Sequence, residues 1–464
     1  MANRYEKENA QLRILVSEQA KTIARLNARL RELEAALGQN SSNSGKPPSA
    51  DPPEAREQRP NRPATGRKPG GQAGHKGRLR ELLPAERVDR TVDHYPTQCL
   101  DCGRRLAKEQ DAAPIRHQVV ELPVIKPEVT EHRLHRIACP CGRVTCARLP
   151  LGVPSGMCGP RLMAFIALLT GFFHVSRRQA HLLLSDVLGI AISIGAISRV
   201  EERVSNAIAT PVQQVHDHVL RQKAKHVDAT TWRERGEHRV LWTIATNSAT
   251  VFQIVADGAR ATLQKFLKKV RGVLITDRGT QFGFWAMDRR QICWAHLLRK
   301  FVAFSEHSEP TAAALGDSLL LLTQSVFHEW HRIRDGTSSR ADFHRHSLAL
   351  RVYIETWLER GVALEIRGVS GSCADILAHR AALWTFADEC GVEPTNNEAE
   401  RELRGFVLWR KRCFGSQSER GNRFAERIMT VTHTLRKQKR HVLSFLTEAC
   451  SAALEDRPAP SLIT

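Results

Sequence analysis

Between residues 224 and 294 the chain runs through short β-rich stretches and one helical stretch in an order that few folds accommodate. Residues 224–232, 240–246 and 251–256 are rich in β-branched and aromatic side chains and are joined by short turns, which reads as an antiparallel meander. A helix over 261–270 follows, then a strand over 273–276 ending on Asp277, then a strand over 290–294 leading into a helix near Ala295. Three antiparallel strands, a helix and further strands is the order of an RNase H-like (retroviral-integrase-type) α/β core, in which the fourth strand lies parallel beside the first. On that topology Asp228, within the first strand, and Asp277, at the end of the fourth, meet at one edge of the sheet. Adjacent carboxylates there are costly unless cations neutralise them. The bland alternative is two strand-end aspartates that never meet.

Residues 302–392 are largely helical in pattern and read as an insertion before the last part of the core. The chain then continues Pro394-Thr395-Asn396-Asn397-Glu398-Ala399-Glu400-Arg401. Thr395 with Glu398 fits a capping box, which accounts for Glu398 by local hydrogen bonding. Glu400, further inside the helix, is left to reach the two aspartates, with Glu398 and Glu402 as alternatives. Asp, Asp and Glu in that order can hold two Mg²⁺ (or Mn²⁺) ions, typically ~3.5–4 Å apart, for in-line displacement at a phosphodiester. Residues 401–440 carry twelve Lys/Arg against three Asp/Glu. Directly after the glutamate, Arg401, Arg404, Arg410 and Lys411 are placed to hold a phosphate backbone.

Upstream, Tyr5, Asn9, Leu12, Val16, Gln19, Ile23, Leu26, Leu30, Leu33 and Leu37 alternate spacings of four and three. That 3.5-residue period predicts a coiled coil, with Asn9 favouring a defined register; the alternative is an amphipathic helix folded onto the chain's own core. Stretches such as Asn40-Ser41-Ser42-Asn43-Ser44-Gly45 cannot build a core and read as linker. Next come Cys99-x-x-Cys102 and Cys139-x-Cys141, two cysteine knuckles that suit a structural Zn²⁺ held by four thiolates on a small β-ribbon, with Cys146 able to replace Cys139 or Cys141. Ala180, Leu183, Leu184 and Val187 fall on one helical face. Gly189 breaks that helix, and Ser193 caps another whose buried side carries Ala196, Ile197, Val200 and Val204. Helix, glycine turn, helix is the helix-turn-helix pattern, with Arg199 and Arg203 outside; many helical hairpins share it without touching DNA.

The charge balance suits these modules. Lys plus Arg is 69 against 49 Asp plus Glu, a net +20 that points to a polyanionic partner, nucleic acid before a membrane surface. The longest nearly apolar run, 162–173, is too short to span a bilayer, and the polar N-terminus has no signal-peptide pattern. A cytoplasmic protein is expected, so the 11 cysteines are not expected to form a disulfide framework, and the clustered ones read as metal ligands. Without a Walker-type loop, nucleotide hydrolysis has no support.

Several motifs resemble the insertion-sequence-66 family of DDE transposases: Gly70-Gly71-Gln72-Ala73-Gly74-His75, the cysteine knuckles, Gln291-Ile292-Cys293-Trp294-Ala295-His296-Leu297-Leu298-Arg299-Lys300-Phe301, Asn396-Asn397-Glu398-Ala399-Glu400-Arg401, and Arg410-Lys411 with Phe414-Gly415-Ser416. The resemblance implies Asp228, Asp277 and Glu400 as the catalytic triad, with His296 beside it. It also implies an enzyme that binds the terminal inverted repeats of its element and cuts and joins double-stranded DNA, target DNA included. Many members have Cys-x-x-Cys at the second knuckle, Glu-Thr after the first aspartate and Asp-Gly-Tyr at the second. This chain has Cys139-x-Cys141, Asp228-Ala229-Thr230 and Asp277-Arg278-Gly279. For His296, capping the helix after Trp294 is an alternative to contact with the scissile phosphate.

The expected organisation is multidomain α+β: coiled coil 1–38, basic linker 39–90, zinc-binding β-ribbon 91–150, helix-turn-helix 155–210, core 222–304, helical insertion 305–392, second part of the core 393–435 and a basic helical C-terminal tail 436–464. A homodimer or higher assembly through the coiled coil is expected, since an element has two ends to join. The rival readings are a non-catalytic DNA-binding regulator and an RNase H-like nuclease or resolvase. An unbroken carboxylate triad separates the first rival from the transposase.

Overall fold

The computed structural model describes residues 81–463, together with residues 13, 15–23, 25–27, 30, 39–41 and 43. The Gly70-to-His75 motif, most of the linker and half of the heptad seam lie outside the described residues. The seam positions that are described, Val16, Gln19, Ile23, Leu26 and Leu30, are helical and exposed. The chain divides into two compact units, Glu57–Glu128 and Met1–Arg56 with Val129–Thr464.

Within Glu57–Glu128, no described residue is buried, and Ile115, Val119, Val120 and Val124 face solvent. Its order is local and polar. The Leu83 N–H donates to Gln118 Oε1 (2.8 Å), and Gln118 Nε2 returns a bond to the Leu83 carbonyl (2.9 Å). Cys99 and Cys102 flank a tight turn in which Cys99 N–H reaches the Arg104 carbonyl (2.9 Å) and Gly103 N–H the Cys99 carbonyl (3.0 Å).

The larger unit opens with a short exposed ribbon. Strands β1 (Arg136–Ala138) and β2 (Val144–Cys146) pair antiparallel around a turn holding Cys139 and Cys141. Helices α1 (Pro160–Gly171), α2 (Arg177–Leu188), α3 (Ile194–Ala207) and α4 (Ala209–Arg221) follow. A Ser176–Gln179 capping box starts α2, Gly189 ends it in the left-handed region (φ 64°), and Ser193 caps α3. Ala180 and Leu184 on α2 are buried, as are Ile197, Val200 and Val204 on α3, whereas Val187 is exposed. These helices share one hydrophobic core with the sheet behind them.

That sheet has the order β5-β4-β3-β6-β7, built from β3 (Ala224–Glu234), β4 (Glu237–Ala245), β5 (Thr250–Val255), β6 (Val273–Thr276) and β7 (Arg290–Ile292). The first three strands are antiparallel, β6 runs parallel beside β3, and β7 parallel beside β6. Helix α5 (Arg260–Phe266) links β5 to β6, and α6 (Trp294–Ser305) follows β7. Helices α7 (Pro310–Arg334), α8 (Arg340–Ala363), α9 (Ser370–Ala378) and α10 (Thr385–Asp388) occupy the stretch expected to be an insertion. With α6 and one face of β6 and β7 they enclose a second core, in which Trp294, Trp330, Phe343, Trp384 and Phe386 interlock through edge-to-face and tilted ring contacts.

The last helices are α11 (Asn397–Cys413), α12 (Glu419–Lys437) and α13 (Val442–Leu454). Helix α12 closes the open edge of the sheet. Glu426, Thr430 and Thr434 receive the N–H groups of Ile254 (2.5 Å), Phe252 (3.2 Å) and Thr250 (3.2 Å). The match is metric: four residues of helix and two of strand both advance about 6 Å. The other edge, β7, is covered by the insertion, where Thr385 Oγ1 donates to the Arg290 carbonyl and Gln291 bonds Leu383 and Phe386. Neither edge is left free to pair with another chain. Within the C-terminal segment, α13 buries Phe445, Leu446, Ala449 and Cys450 in the first core, because its apolar residues recur at helical spacing.

Candidate active site

Asp228 lies mid-strand on β3, half-buried, with Oδ1 accepting the Ala229 N–H at 2.8 Å. Asp277 follows the last residue of β6, and its Oδ1 accepts the Gly279 N–H at 2.9 Å. The loop carrying Asp277 is fixed from beneath by Arg290. This buried guanidinium donates to Thr276 Oγ1 (2.9 Å) and the Asp277 carbonyl (2.7 Å), and lies over the Phe282 ring.

The third carboxylate comes from α11, whose first turn is stitched to the sheet. Asn396 is fully buried; its Nδ2 donates to the Val227 carbonyl (2.9 Å) and its N–H to Cys293 Sγ (3.1 Å). The helix therefore begins next to Asp228 and beside the end of β7. Asn396 takes the N-cap position without a side-chain cap, so the expected Thr395–Glu398 capping box does not form. With the helix starting at Asn397, Glu398 stands one position too early to reach back. It pairs instead with Lys437 (2.6 Å) and Arg401 (2.7 Å). Glu402, one turn on and on the same face, meets His433 (2.5 Å) and Lys437 (3.4 Å). Burial opposes the Glu402 charge, but His433 and Lys437 outweigh it and hold the carboxyl down to about 2.

Glu400, two residues from each, points the other way. Its Oε1 lies 3.7 Å from His296 Nδ1 and its Oε2 3.3 Å from Arg299 of the same helix, α6. His296 sits in the first turn of α6 but makes no cap. Burial pushes the imidazole below its usual range, against the pull of Glu400. Glu400 Oε1 and His296 Nδ1 are both buried and neither has a hydrogen-bond partner. Asp228 is pushed up to about 7, by burial first and then by the charges of Asp277 and Glu400, with the Ala229 N–H and Arg299 opposing. These three carboxylates thus share one electrostatic neighbourhood.

Among the described residues, the metal-ligating group whose donor atoms all lie within 4.8 Å of one another is Cys293, His296 and Glu400. Asp228, Asp277 and Glu400 do not form such a group. Cys293 is fully buried, already accepts the Asn396 N–H, and is pushed up to about 11 by burial, so it remains a thiol. Beside Asp277 opens a cavity of about 360 Å³ walled by Arg278, Thr280, His296, Lys300 and Asp375, with Arg278 paired to Asp375 at 2.6 Å.

Arg199 and Arg203 are exposed on α3, and Arg203 reaches Ser155 (3.2 Å). Arg401, Arg404 and Lys411 are exposed on α11, whereas Arg410 is half-buried and donates to Thr230 and Thr231 of β3. The cysteines stand in open turns. Backbone N–H groups, first that of Cys102 for Cys99 and that of Arg143 for Cys141, pull these thiols below the usual range. Cys146 ends β2.

Four residues that shape the site escaped sequence reasoning: Asn396, Arg290, Arg299 and Lys437. Asn396 and Arg299 stand inside motifs that carry the family resemblance, and Arg299, three residues from His296, shares its helix face.

A family model described as the IS66 transposase family matches residues 155–424, more than half of the chain. A second, for a family of unknown function, matches residues 2–81. Comparison with curated proteins returns no match. The chain belongs to the IS66 family of transposases, which act on DNA in transposition and generally use a divalent metal. Among the described residues, no helix is long and apolar enough to cross a membrane.

Proposed function

We propose that the chain is a DDE transposase with an RNase H-like catalytic core, and that Asp228, Asp277 and Glu400 are its catalytic carboxylates. The observation that carries this reading is the convergence of β3, the end of β6 and the start of α11, which raises Asp228 to about 7 and leaves Glu400 Oε1 and His296 Nδ1, 3.7 Å apart, buried with no hydrogen-bond partner. An acidic cluster with orphaned donor atoms fits a cation better than it fits any group of the protein itself. The strand order β5-β4-β3-β6-β7 with β6 parallel to β3 supports the fold assignment.

The three carboxylates would hold Mg²⁺ or Mn²⁺, with His296 beside them. Bound ions would supply an activated water or 3′-hydroxyl and stabilise the leaving oxygen. The protein's own share is positional. Arg290 and Asn396 fix the two loops that present Asp277 and Glu400, and Arg299 holds Glu400 until it is needed elsewhere. Lys437 draws Glu398 and Glu402 to the opposite face, which leaves Glu400 for the site. Exposed Arg401, Arg404 and Lys411, with Arg199 and Arg203 on α3, would seat double-stranded DNA, terminal inverted repeats and target alike.

Three further parts of the reading accompany this. Cys99 with Cys102 and Cys139 with Cys141 serve as structural Zn²⁺ ligands, supported by turns that already lower two of the thiols. The exposed apolar seam positions Val16, Ile23, Leu26 and Leu30 support a coiled-coil contact with a second copy. Helices α2 and α3 serve as the DNA-reading helix-turn-helix.

Metal-dependent nicking of the element's own terminal DNA tests the proposal. Asp228→Ala, Asp277→Ala and Glu400→Ala should each abolish it while DNA binding survives. Nicking that persists in Glu400→Ala but is lost in Glu398→Ala would move the third ligand. Tight binding without any nicking by the unaltered protein would favour the regulator.

A further inference from the structure

Phe414 is the first residue past the end of α11. It lies in the left-handed region (φ 59°), where a bulky side chain is strained, and it is 77% exposed. Glycine serves that position without strain, yet here the glycine comes one residue later. Burial does not explain the ring, since it has almost none.

The loop that presents Phe414 is held rigidly. Gly415 (φ 106°) passes so close to β3 that a Cβ there would collide with the Arg233 carbonyl. Ser416 N–H donates to that carbonyl (2.9 Å), Arg235 N–H donates to the Ser416 carbonyl (2.9 Å), and the segment pairs with Glu234 as a parallel bridge. Arg235 is also left-handed (φ 52°), in the two-residue turn with Gly236 between β3 and β4, and its Nε donates to the Gln417 carbonyl (3.0 Å). Two turns are therefore zipped together, each carrying a strained non-glycine residue at its tip. Strain that the surroundings over-determine in this way points to a use.

The chain around the ring is strongly cationic. Arg410, Lys411 and Arg412 close α11, and Arg233 and Arg235 come from the hairpin. Arg420, at the start of α12, reaches Glu202 (2.8 Å) and Ser198 (3.0 Å) of α3, the helix that carries exposed Arg199. An exposed aromatic on a rigid base with an arginine collar matches a polyanion with stackable faces.

We propose that Phe414 is a wedge that enters the base stack of the bound duplex while the surrounding arginines hold the adjoining phosphates. The assignment deepens the proposed action on DNA and rests on it. Glu234, where the loop joins β3, stands six residues from Asp228. At ~3.3 Å per residue that is about 20 Å, or about six base-pair steps of ~3.4 Å. A kink at that distance would unstack the duplex near the strand to be cut.

Fluorescence tests this with full-length protein bound, in Ca²⁺, to duplexes of the element's own terminal DNA. Each duplex carries 2-aminopurine at one position, and the positions are tiled across the footprint. The unaltered protein should brighten the probe roughly threefold or more at one step, where the neighbouring base is unstacked. Phe414→Ala should lose the signal and Phe414→Trp should keep it. Phe414→Gly, which relieves the backbone strain, should lose it as well, separating the ring from the loop shape. Uniformly dim probes with the unaltered protein, or brightening that survives Phe414→Ala, overturns the wedge. Asp228→Ala should brighten normally, so failure of the carboxylate assignment appears as persistent nicking, independently of the fluorescence.

Discussion

Asp228 sits among carboxylates and core side chains that push it up to about 7, whereas Cys99 and Cys141 sit in open turns whose backbone N–H groups pull their thiols down. The first site is made by the fold at an electrostatic cost. Two cores, both sheet edges and a buried Asn396 hold it in place. The cysteine turns have no such support: around Cys99 no described residue of the unit is buried, and the ribbon of β1 and β2 is exposed along its whole length. The contrast teaches which way dependence on metal should run. A cation at the carboxylates would serve chemistry in a structure already formed, while zinc at the cysteines would supply the order that burial does not.

The sharpest break of that comparison is catalytic. Glu400→Gln removes a charge without removing volume, so nicking should fall on the order of 10³-fold or more. The core's thermal midpoint should not drop, because a repelling charge next to Asp228 has gone. A large fall in stability would show that Glu400 holds the fold together and would undo the contrast. Next in size is zinc. Metal analysis of protein purified without oxygen should give about one Zn²⁺ per chain. Chelation should open residues 91–150 to protease while the core's melting transition stays unchanged. Protein free of zinc, with that segment still protected, would defeat the cysteine half of the argument.

What was legible in the sequence follows the same division. The strands of the sheet were legible because alternation and β-branching are local signals, and the parallel placement of β6 beside β3 came with their order. Glu400 was preferred over Glu398 for a reason that fails, since the capping box is absent. In the structure Lys437, 39 residues away in sequence, claims Glu398, while Glu400 faces α6. Nothing local announces such a partner. Asn396 and Arg290 were silent for the same cause: a buried amide and a buried guanidinium gain meaning only from the carbonyls of distant strands. The last helix reads in the sequence as a basic segment because charges at 436–440 mask the apolar periodicity that follows them.

A smaller effect sharpens the account of how the core is held. Thr430 Oγ1 receives the Phe252 N–H across the sheet edge, whereas Thr432 Oγ1 donates only to the Ile428 carbonyl of its own helix (2.7 Å). Both are fully buried threonines on α12. Thr430→Val strands a buried N–H and should cost about 1–3 kcal/mol in denaturant unfolding, while Thr432→Val should cost under about 1 kcal/mol. Equal losses would mean that the helix covers the edge by packing alone.

The smallest effect concerns acid. His174, between α1 and α2, stacks on Trp409 at 4.9 Å, and burial, with the charges of Arg412 and His433, depresses it to about 4. A histidine held neutral in the folded state contributes stability that is fully present above its unfolded pKa of about 6.5 and is lost as pH falls through its folded value. Allowing for its partial exposure, the contribution is about 1–2 kcal/mol. The core's unfolding free energy should therefore decline between about pH 6.5 and pH 4. His174→Asn, which tolerates the left-handed backbone there (φ 55°), should lower stability overall but flatten that decline. The cysteine turns should lose their zinc over the same acid range as thiolates protonate, and that loss should be untouched by the substitution. Protease protection of residues 91–150 and the core's unfolding transition, followed side by side across the titration, separate the two. If His174→Asn leaves the slope of the core transition unchanged, the acid sensitivity lies in other groups and the imidazole is not held neutral by its surroundings.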